Sequence, residues 1–280
     1  MDDSATLTGG RLERRRWGRF LSAANFWLGS FGFNPRYLAI SLRGLPRLMR
    51  EYRLFRRSLA RAGGTWPIAL TVPCLGDWSA QSGSVAGQYF LQDLFIAQRI
   101  FANAPRKHVD VGSRVDGFVA HVASFRQIHV VDIRPLKVAM PNITFMQCDL
   151  MHIAPELIGT ADSVSCLHAL EHFGLGRYGD PIDANGYQLG LEGLTNLLCA
   201  GGVLYLSVPI GRQRIEFNGH RIFAIETILA LTRARFSLRQ FSFIDDSDRL
   251  HTNVPLTAPD VAASFGLDNG CGIFELVKLE

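Results

Sequence analysis

The segment from His108 to Asp132, HVDVGSRVDGFVAHVASFRQIHVVD, constrains this chain more than any other. A short apolar strand carrying an acid at Asp110 runs into Gly112, a helical spacing follows from Val115 to Phe125, and a second strand, Ile128 to Val131, ends on Asp132. A strand, a glycine turn, a helix start and an acid about 20 residues on form the generic signature for holding an adenosine-containing cofactor. The glycine lets backbone and ligand approach, the helix start presents free N–H groups, and the acid accepts ribose hydroxyls.

From Lys107 onward strand and helix patterns alternate. Strands are expected near 107–111, 127–132, 143–147, 162–167, 202–208, 236–243 and 271–279, and helices near 115–125, 187–199 and 222–233. This alternation predicts an α/β fold, a doubly wound, Rossmann-like and mostly parallel sheet with helices on both faces. Asp245 to Gly270 reads as a surface excursion with a short helix near Pro259 to Phe265, and Tyr89 to Ala102 as a helix leading into the first strand with Gln92 and Asp93 near the ligand.

The charge is unevenly distributed. Residues 1–63 hold 13 Arg against 4 acids, a balance of +9, and the remainder carries −5 of the chain's +4. The basicity is therefore local and does not indicate nucleic-acid binding. Residues 1–63 are expected to form a basic amphipathic helical extension to a cofactor-binding domain at 64–280. Within it, Trp17, Phe20, Leu21, Phe26, Trp27 and Phe31 precede a face made of Leu48, Tyr52, Phe55 and Leu59, with Pro46 in a helix first turn. Two readings of residues 11–62 stand side by side: a helical pair with its arginines in solvent, and peripheral attachment to an anionic membrane surface. Residues 65–88 read as a loop with a short strand at Ile68 to Val72. The N-terminus is too polar for a signal peptide, no apolar run approaches a membrane span, and the five scattered cysteines contain no CxxC pair, which together predict a cytoplasmic protein without disulfides.

Asp132 suits two folds, the nicotinamide-binding Rossmann domain and the methyl-donor-binding domain. Asp110 inside the first strand, Asp149 after the third, and the polar tip His168 to His172 at the end of the fourth favour the second. HALEH also matches H-x-x-E-H, a zinc-peptidase signature, but that motif requires a helix through both histidines, and here an alternating strand precedes it. No metal ligand set is assigned, although a metal-assisted reaction using Asp162 or His172 stays open.

At this point HVDVGS, VVDIRP, QCDL, ADSVSCLHALEHF and LCAGGVLYLSVP, in this order over roughly residues 89–243, resemble the class I S-adenosylmethionine-dependent methyltransferases. YFLQDLFIA, DVGSRVDGFVAH, DIRPL, ALEHFGLGRYGDPID and FNGHRIF look like an uncharacterised subgroup of that superfamily, a domain of unknown function found in bacteria and nematodes. The resemblance implies S-adenosylmethionine as cofactor and an antiparallel last strand. It places Asp110, Gly112 and Ser113 along the methionine part, Asp132 at the ribose, Asp149 and Leu150 at the adenine, and His168 beside the donor. The chain departs from the superfamily pattern at the first turn, where Arg114 and Asp116 stand in place of two glycines and Gly117 comes one place late.

The expected reaction is methyl transfer to a hydroxyl or amine of a small or glycan-like acceptor. His172 is the candidate base, Glu171 its orienter, and His220 and Arg221 the candidate acceptor-binding residues. An NAD-dependent oxidoreductase and a non-catalytic adapter that keeps the fold are the alternatives.

Overall fold

The sheet strands are β1 (His108–Val111), β2 (Ile128–Asp132), β3 (Ile143–Gln147), β4 (Ala161–Leu167), β5 (Leu198–Ile210), β8 (Phe236–Ile244), β9 (Leu250–His251) and β10 (Gly270–Lys278). In the computed structural model, which describes residues 24–80, 82–83 and 87–280, they form one sheet in the order β3-β2-β1-β4-β5-β10-β8-β9. The strands from β3 to β5 are parallel, and β10 runs antiparallel to both β5 and β8. All seven expected strands form, and the fold is the expected doubly wound sheet with a reversed last long strand.

Every residue of β1 is buried, because β2 and β4 flank it and helices cover both faces. On one face, α2 (Gln88–Asn103) buries Ile96, Ala97 and Ile100 with Phe118, Val130, Tyr205 and Ile273. On the other, α4 (Gly186–Leu197) and α5 (Ile225–Thr232) bury Leu191, Leu194 and Ile228 with Val109, Val164, Leu206 and Phe274. The chain leaves β1 toward β2 and later returns beside β1 as β4. A cleft therefore opens where the connections leaving the C-terminal ends of β1 and β4 diverge, the usual ligand position in such a sheet.

The expected helix from Val115 to Phe125 is irregular. A wide five-residue turn, Val115–Val119, precedes a four-residue α3 (Ala120–Ala123). The expected helix near Pro259 appears as α6 (Ala258–Ala263). A hairpin of β6 (Arg214–Glu216) and β7 (His220–Ile222) was not foreseen, since three-residue strands are too short to show alternation.

The chain divides into two compact units, residues 1–84 and 85–280. In the first, residues 24–30 are helical and α1 (Pro35–Arg61) follows, capped by Asn34, whose Oδ1 accepts from the Tyr37 N–H at 2.9 Å. This corrects the expectation for Pro46: the helix starts at Pro35, a good first-turn proline, and Pro46 lies in its interior, where it has no N–H to give to the carbonyl of the preceding turn. Gly44 is the buried contact point of α1, since a Cβ there would sit 1.9 Å from the Leu75 carbonyl oxygen. No strand forms at 68–72, which has no partner strand to take up its backbone groups. Trp17, Phe20, Leu21 and the arginines before Phe20 lie outside the described residues. Among the described residues no helix is long and apolar enough to cross a membrane.

Candidate functional site

The floor of the cleft is the turn after β1. Gly112 adopts φ +77, and a Cβ there would come within 2.8 Å of the Ala169 Cβ, so only glycine lets the ends of β1 and β4 meet this closely. The late Gly117 has its own packing reason. A Cβ at that position would lie 3.0 Å from Asp93 Oδ2, so the glycine admits the α2 carboxylate to the cleft. Arg114 and Asp116, standing where glycines are usual, neutralise each other through contacts at 2.9 and 2.6 Å.

Asp110 does not line this cleft. It is fully buried and accepts from the Ser113 N–H at 3.2 Å, the Ser113 hydroxyl at 2.8 Å and the Ser165 hydroxyl at 2.5 Å. Ser165 also contacts His108 Nε2 at 3.1 Å, and His108 Nδ1 meets Ser163 at 2.8 Å, giving a buried polar ladder between β1 and β4. Burial pushes Asp110 up to about 7 and His108 down to about 3, because charge is disfavoured away from water. Asp110 thus shapes the turn through Ser113, which itself faces the cleft.

On one side of Gly112 the lining includes Val131, Asp132, Cys148, Asp149, Leu150 and Phe173. Asp132, at the end of β2, is gripped by Arg134. Asp149 caps the turn Leu150–His152, accepting from the Met151 N–H at 2.9 Å, and contacts His152 at 3.3 Å. On the other side the lining includes Tyr89, Gln92, Asp93, Ser113, Gly117 and Leu167. Arg134, His168, His172 and Tyr178 border both halves.

At the tip of β4 the roles are distributed differently from the expectation. Leu170–His172 is a single tight turn, not a helix, and among the described residues no group of His, Cys, Asp and Glu has a metal-binding arrangement. Glu171 is 1% exposed and meets His168 Nδ1 at 2.9 Å, while His172 Nε2 stands 3.7 Å away. Burial opposes both charges of the His168–Glu171 pair, but each group holds the other ionised, His168 raised and Glu171 lowered. His168 Nε2 and Glu171 Oε2 are buried without hydrogen-bond partners. His172 is oriented by the hairpin instead, with Nδ1 2.7 Å from the Gly219 carbonyl oxygen. A donor N–H on Nδ1 leaves the lone pair on Nε2. Burial lowers the His172 pKa, so the neutral ring persists at lower pH than usual.

Of the two expected acceptor-binding residues, His220 has its ring centre 6.4 Å from that of His172. Arg221 is 4% exposed and donates to the backbone oxygens of Phe173 at 2.6 Å, Glu171 at 3.3 Å and Ala184 at 3.3 Å, with Tyr187 against its guanidinium. It fastens the loop from Phe173 to Ala184 rather than facing the cleft. The loop's Asp180 does similar work, accepting from the N–H groups of Gly174, Gly176 and Tyr178.

Residues 126–251 match the family model described as Caenorhabditis protein of unknown function, DUF268. No curated protein matches the chain in sequence. Among solved structures, the [4+2]-cyclase SpnF superposes with a TM-score of 0.51 at 19% identity, covering 78% of this chain and 90% of its own. The Burkholderia thailandensis 1,6-didemethyltoxoflavin N1-methyltransferase, solved with S-adenosylhomocysteine, gives 0.48 at 14% identity over 68% of this chain and 80% of that one. The N-methyltransferase NodS from Bradyrhizobium japonicum, also with S-adenosylhomocysteine, gives 0.47 at 11% identity over 70% and 90%. By its strand order this chain has the class I S-adenosylmethionine-dependent methyltransferase fold, and across residues 126–251 it matches DUF268.

Proposed function

We propose that the protein is an S-adenosylmethionine-dependent methyltransferase acting on a hydroxyl or amine of a small acceptor. The observation that carries this reading is the charge arrangement around Gly112. Asp93 faces the cleft on one side, Asp132 and Asp149 on the other, while the Arg114 and Arg134 guanidiniums beside the turn are paired with Asp116 and Asp132. Such a site suits a ligand with a cationic amine and sulfonium at one end and a ribose at the other. It suits a dinucleotide less well, because its diphosphate needs a regular helix start, and here an irregular turn containing Asp116 takes that place.

The residues fit the donor on three further counts. Gly112 leaves a hollow that a Cβ would fill, Leu150 provides an apolar wall, and His168, whose Nε2 has no hydrogen-bond partner, borders both halves of the cleft. Bound there, the donor supplies an activated methyl group on a positively charged sulfur. Alignment and exclusion of water by such a cleft contribute roughly 7–11 kcal/mol to lowering a transfer barrier. In this reading His172 Nε2 would take the proton that the acceptor hydroxyl or amine gives up. The Gly219 carbonyl sets the His172 tautomer, while Glu171 steadies His168.

Thermal unfolding of the full chain with S-adenosylmethionine, S-adenosylhomocysteine and NAD in turn tests the reading. Stabilisation by the first two alone is expected, about 2.7 kcal/mol at 100 times the dissociation constant. A shift with NAD alone overturns it, and donor binding without transfer to any acceptor in a radiolabelled screen leaves the adapter role.

A specific observation also supports peripheral membrane contact through residues 11–62. α1 carries eight Arg against Glu51 alone, and Phe26, Trp27 and Phe31 before it are 76%, 67% and 81% exposed. Exposed aromatics beside a basic helix suit an anionic bilayer surface. Co-sedimentation with anionic vesicles, lost on deleting residues 1–63, is expected; a full chain that stays in the supernatant at low salt overturns it.

A further inference from the structure

We propose that Arg177 anchors an oxyanion, a carboxylate or phosphate, carried by the methyl acceptor close to the hydroxyl that meets His172. This inference rests on the methyltransferase reading and narrows its substrate class.

Arg177 projects from the loop after β4 into the half of the cleft that holds Tyr89, Asp93 and His172. Two contacts fix its guanidinium: Nη1 donates to the Gly219 carbonyl oxygen at 2.9 Å, and Cζ lies 5.1 Å from the centre of the Tyr178 ring. The same Nη1 is 3.4 Å from His172 Nδ1, so whatever Arg177 holds lies beside the candidate base. Unlike Arg114, Arg134 and Arg214, it has no carboxylate partner within 4 Å among the described residues. Of the acids nearby, Glu171 is committed to His168, Asp180 to three backbone N–H groups, and Asp93 accepts from the Gln92 side chain at 3.0 Å.

An arginine held in place with Nε and Nη2 making no hydrogen bond among the described residues is preorganised for bidentate contact with an oxyanion. The hairpin adds His220, whose ring stands across from His172. Burial lowers the pKa of both imidazoles, Glu171 opposes that shift and the Arg177 charge adds to it, so an anion held by Arg177 would favour the protonated rings. The hydrogen-bonded Gly219 links the parts: one carbonyl orients the candidate base and the candidate anion anchor together.

The test is an NMR titration of the His172 and His220 ring signals in full-length protein saturated with S-adenosylhomocysteine, using inorganic phosphate and, separately, acetate at constant ionic strength. Saturable shifts of both rings are expected. Arg177→Gln should weaken the phosphate dissociation constant at least tenfold, and Arg177→Lys should recover part of the loss. The relative response to acetate and phosphate tells which oxyanion the site prefers. Absence of saturation, or equal affinity in Arg177→Gln, overturns the proposal, the latter showing an adventitious ion only. An unchanged melting temperature of Arg177→Gln without ligands shows that the fold is intact. If S-adenosylhomocysteine fails to shift the melting temperature, the methyltransferase reading falls by itself, and the phosphate titration on the free protein still reads Arg177.

Discussion

Arg134 occupies Asp132: Nε meets Oδ1 at 3.0 Å, Nη2 meets Oδ2 at 2.5 Å, and the backbone N–H of Arg134 adds a contact to Oδ1 at 2.8 Å. The guanidinium also lies 4.6 Å from the Tyr178 ring centre. A ribose whose two hydroxyls donate to both oxygens of this carboxylate competes with the fork, since Oδ1 already accepts twice. Arg134→Gln is therefore expected to tighten S-adenosylhomocysteine binding by about three- to tenfold, the scale of ~1 kcal/mol for a partly exposed pair. Asp132→Asn should weaken it at least about tenfold. Titration calorimetry checks both, and weaker binding by Arg134→Gln would mean that the guanidinium itself touches the ligand.

His172→Gln should retain donor affinity and lower methyl transfer by about 10²–10⁴-fold, the usual contribution of a positioned base. Because burial lowers the His172 pKa, the rate should rise with pH only below the ordinary imidazole range and stay flat from there to neutrality. The pH–rate profile with an acceptor found by screening reads this directly. A profile that still climbs through neutral pH would point to the raised His168 instead.

Asp110 makes stability depend on pH. Its folded pKa of about 7 stands above the unfolded value of 3.8, so between those values the folded state holds a proton that the unfolded state has lost. Stability from this group is full below pH ~4 and falls as pH rises toward 7, by on the order of 3–4 kcal/mol. Asp110→Asn keeps an acceptor for Ser113 and Ser165 and removes the titration. Relative to that variant, the protein should lose ground steadily from pH 4 to 7 in urea unfolding; a constant difference would contradict the assignment.

Arg221→Ala should destabilise the protein by about 2–4 kcal/mol, since it strands three loop carbonyls and empties a buried site beside Tyr187. Donor affinity should fall only in proportion to the unfolded fraction. Unchanged stability with lost acceptor turnover would return Arg221 to the substrate-binding role that its position after the fifth long strand suggested.

The elements legible in the sequence are those whose signal is complete within a few residues. The strands around His108 to Val111 and Ala161 to Leu167 declare themselves through apolar runs, and Gly112 through the turn it must make. What the sequence pattern missed is either short or distant. The wide turn at Val115 contains Gly117, where a Cβ would crowd Asp93, a residue of α2 that only folding brings there. The β6–β7 hairpin, too short for periodicity, carries the Gly219 carbonyl on which both His172 and Arg177 depend.

By itself, then, the sequence determined the sheet, its glycine turn and the set of acids and histidines at its strand ends, because alternation and turn chemistry are local. Only the tertiary structure decided the partners: Glu171 with His168 rather than His172, Arg221 with loop carbonyls rather than the cleft, and Arg134 on Asp132. Pairings of this kind depend on angstrom-scale differences in packing and strand register, and the spacing of residues along the chain does not encode them.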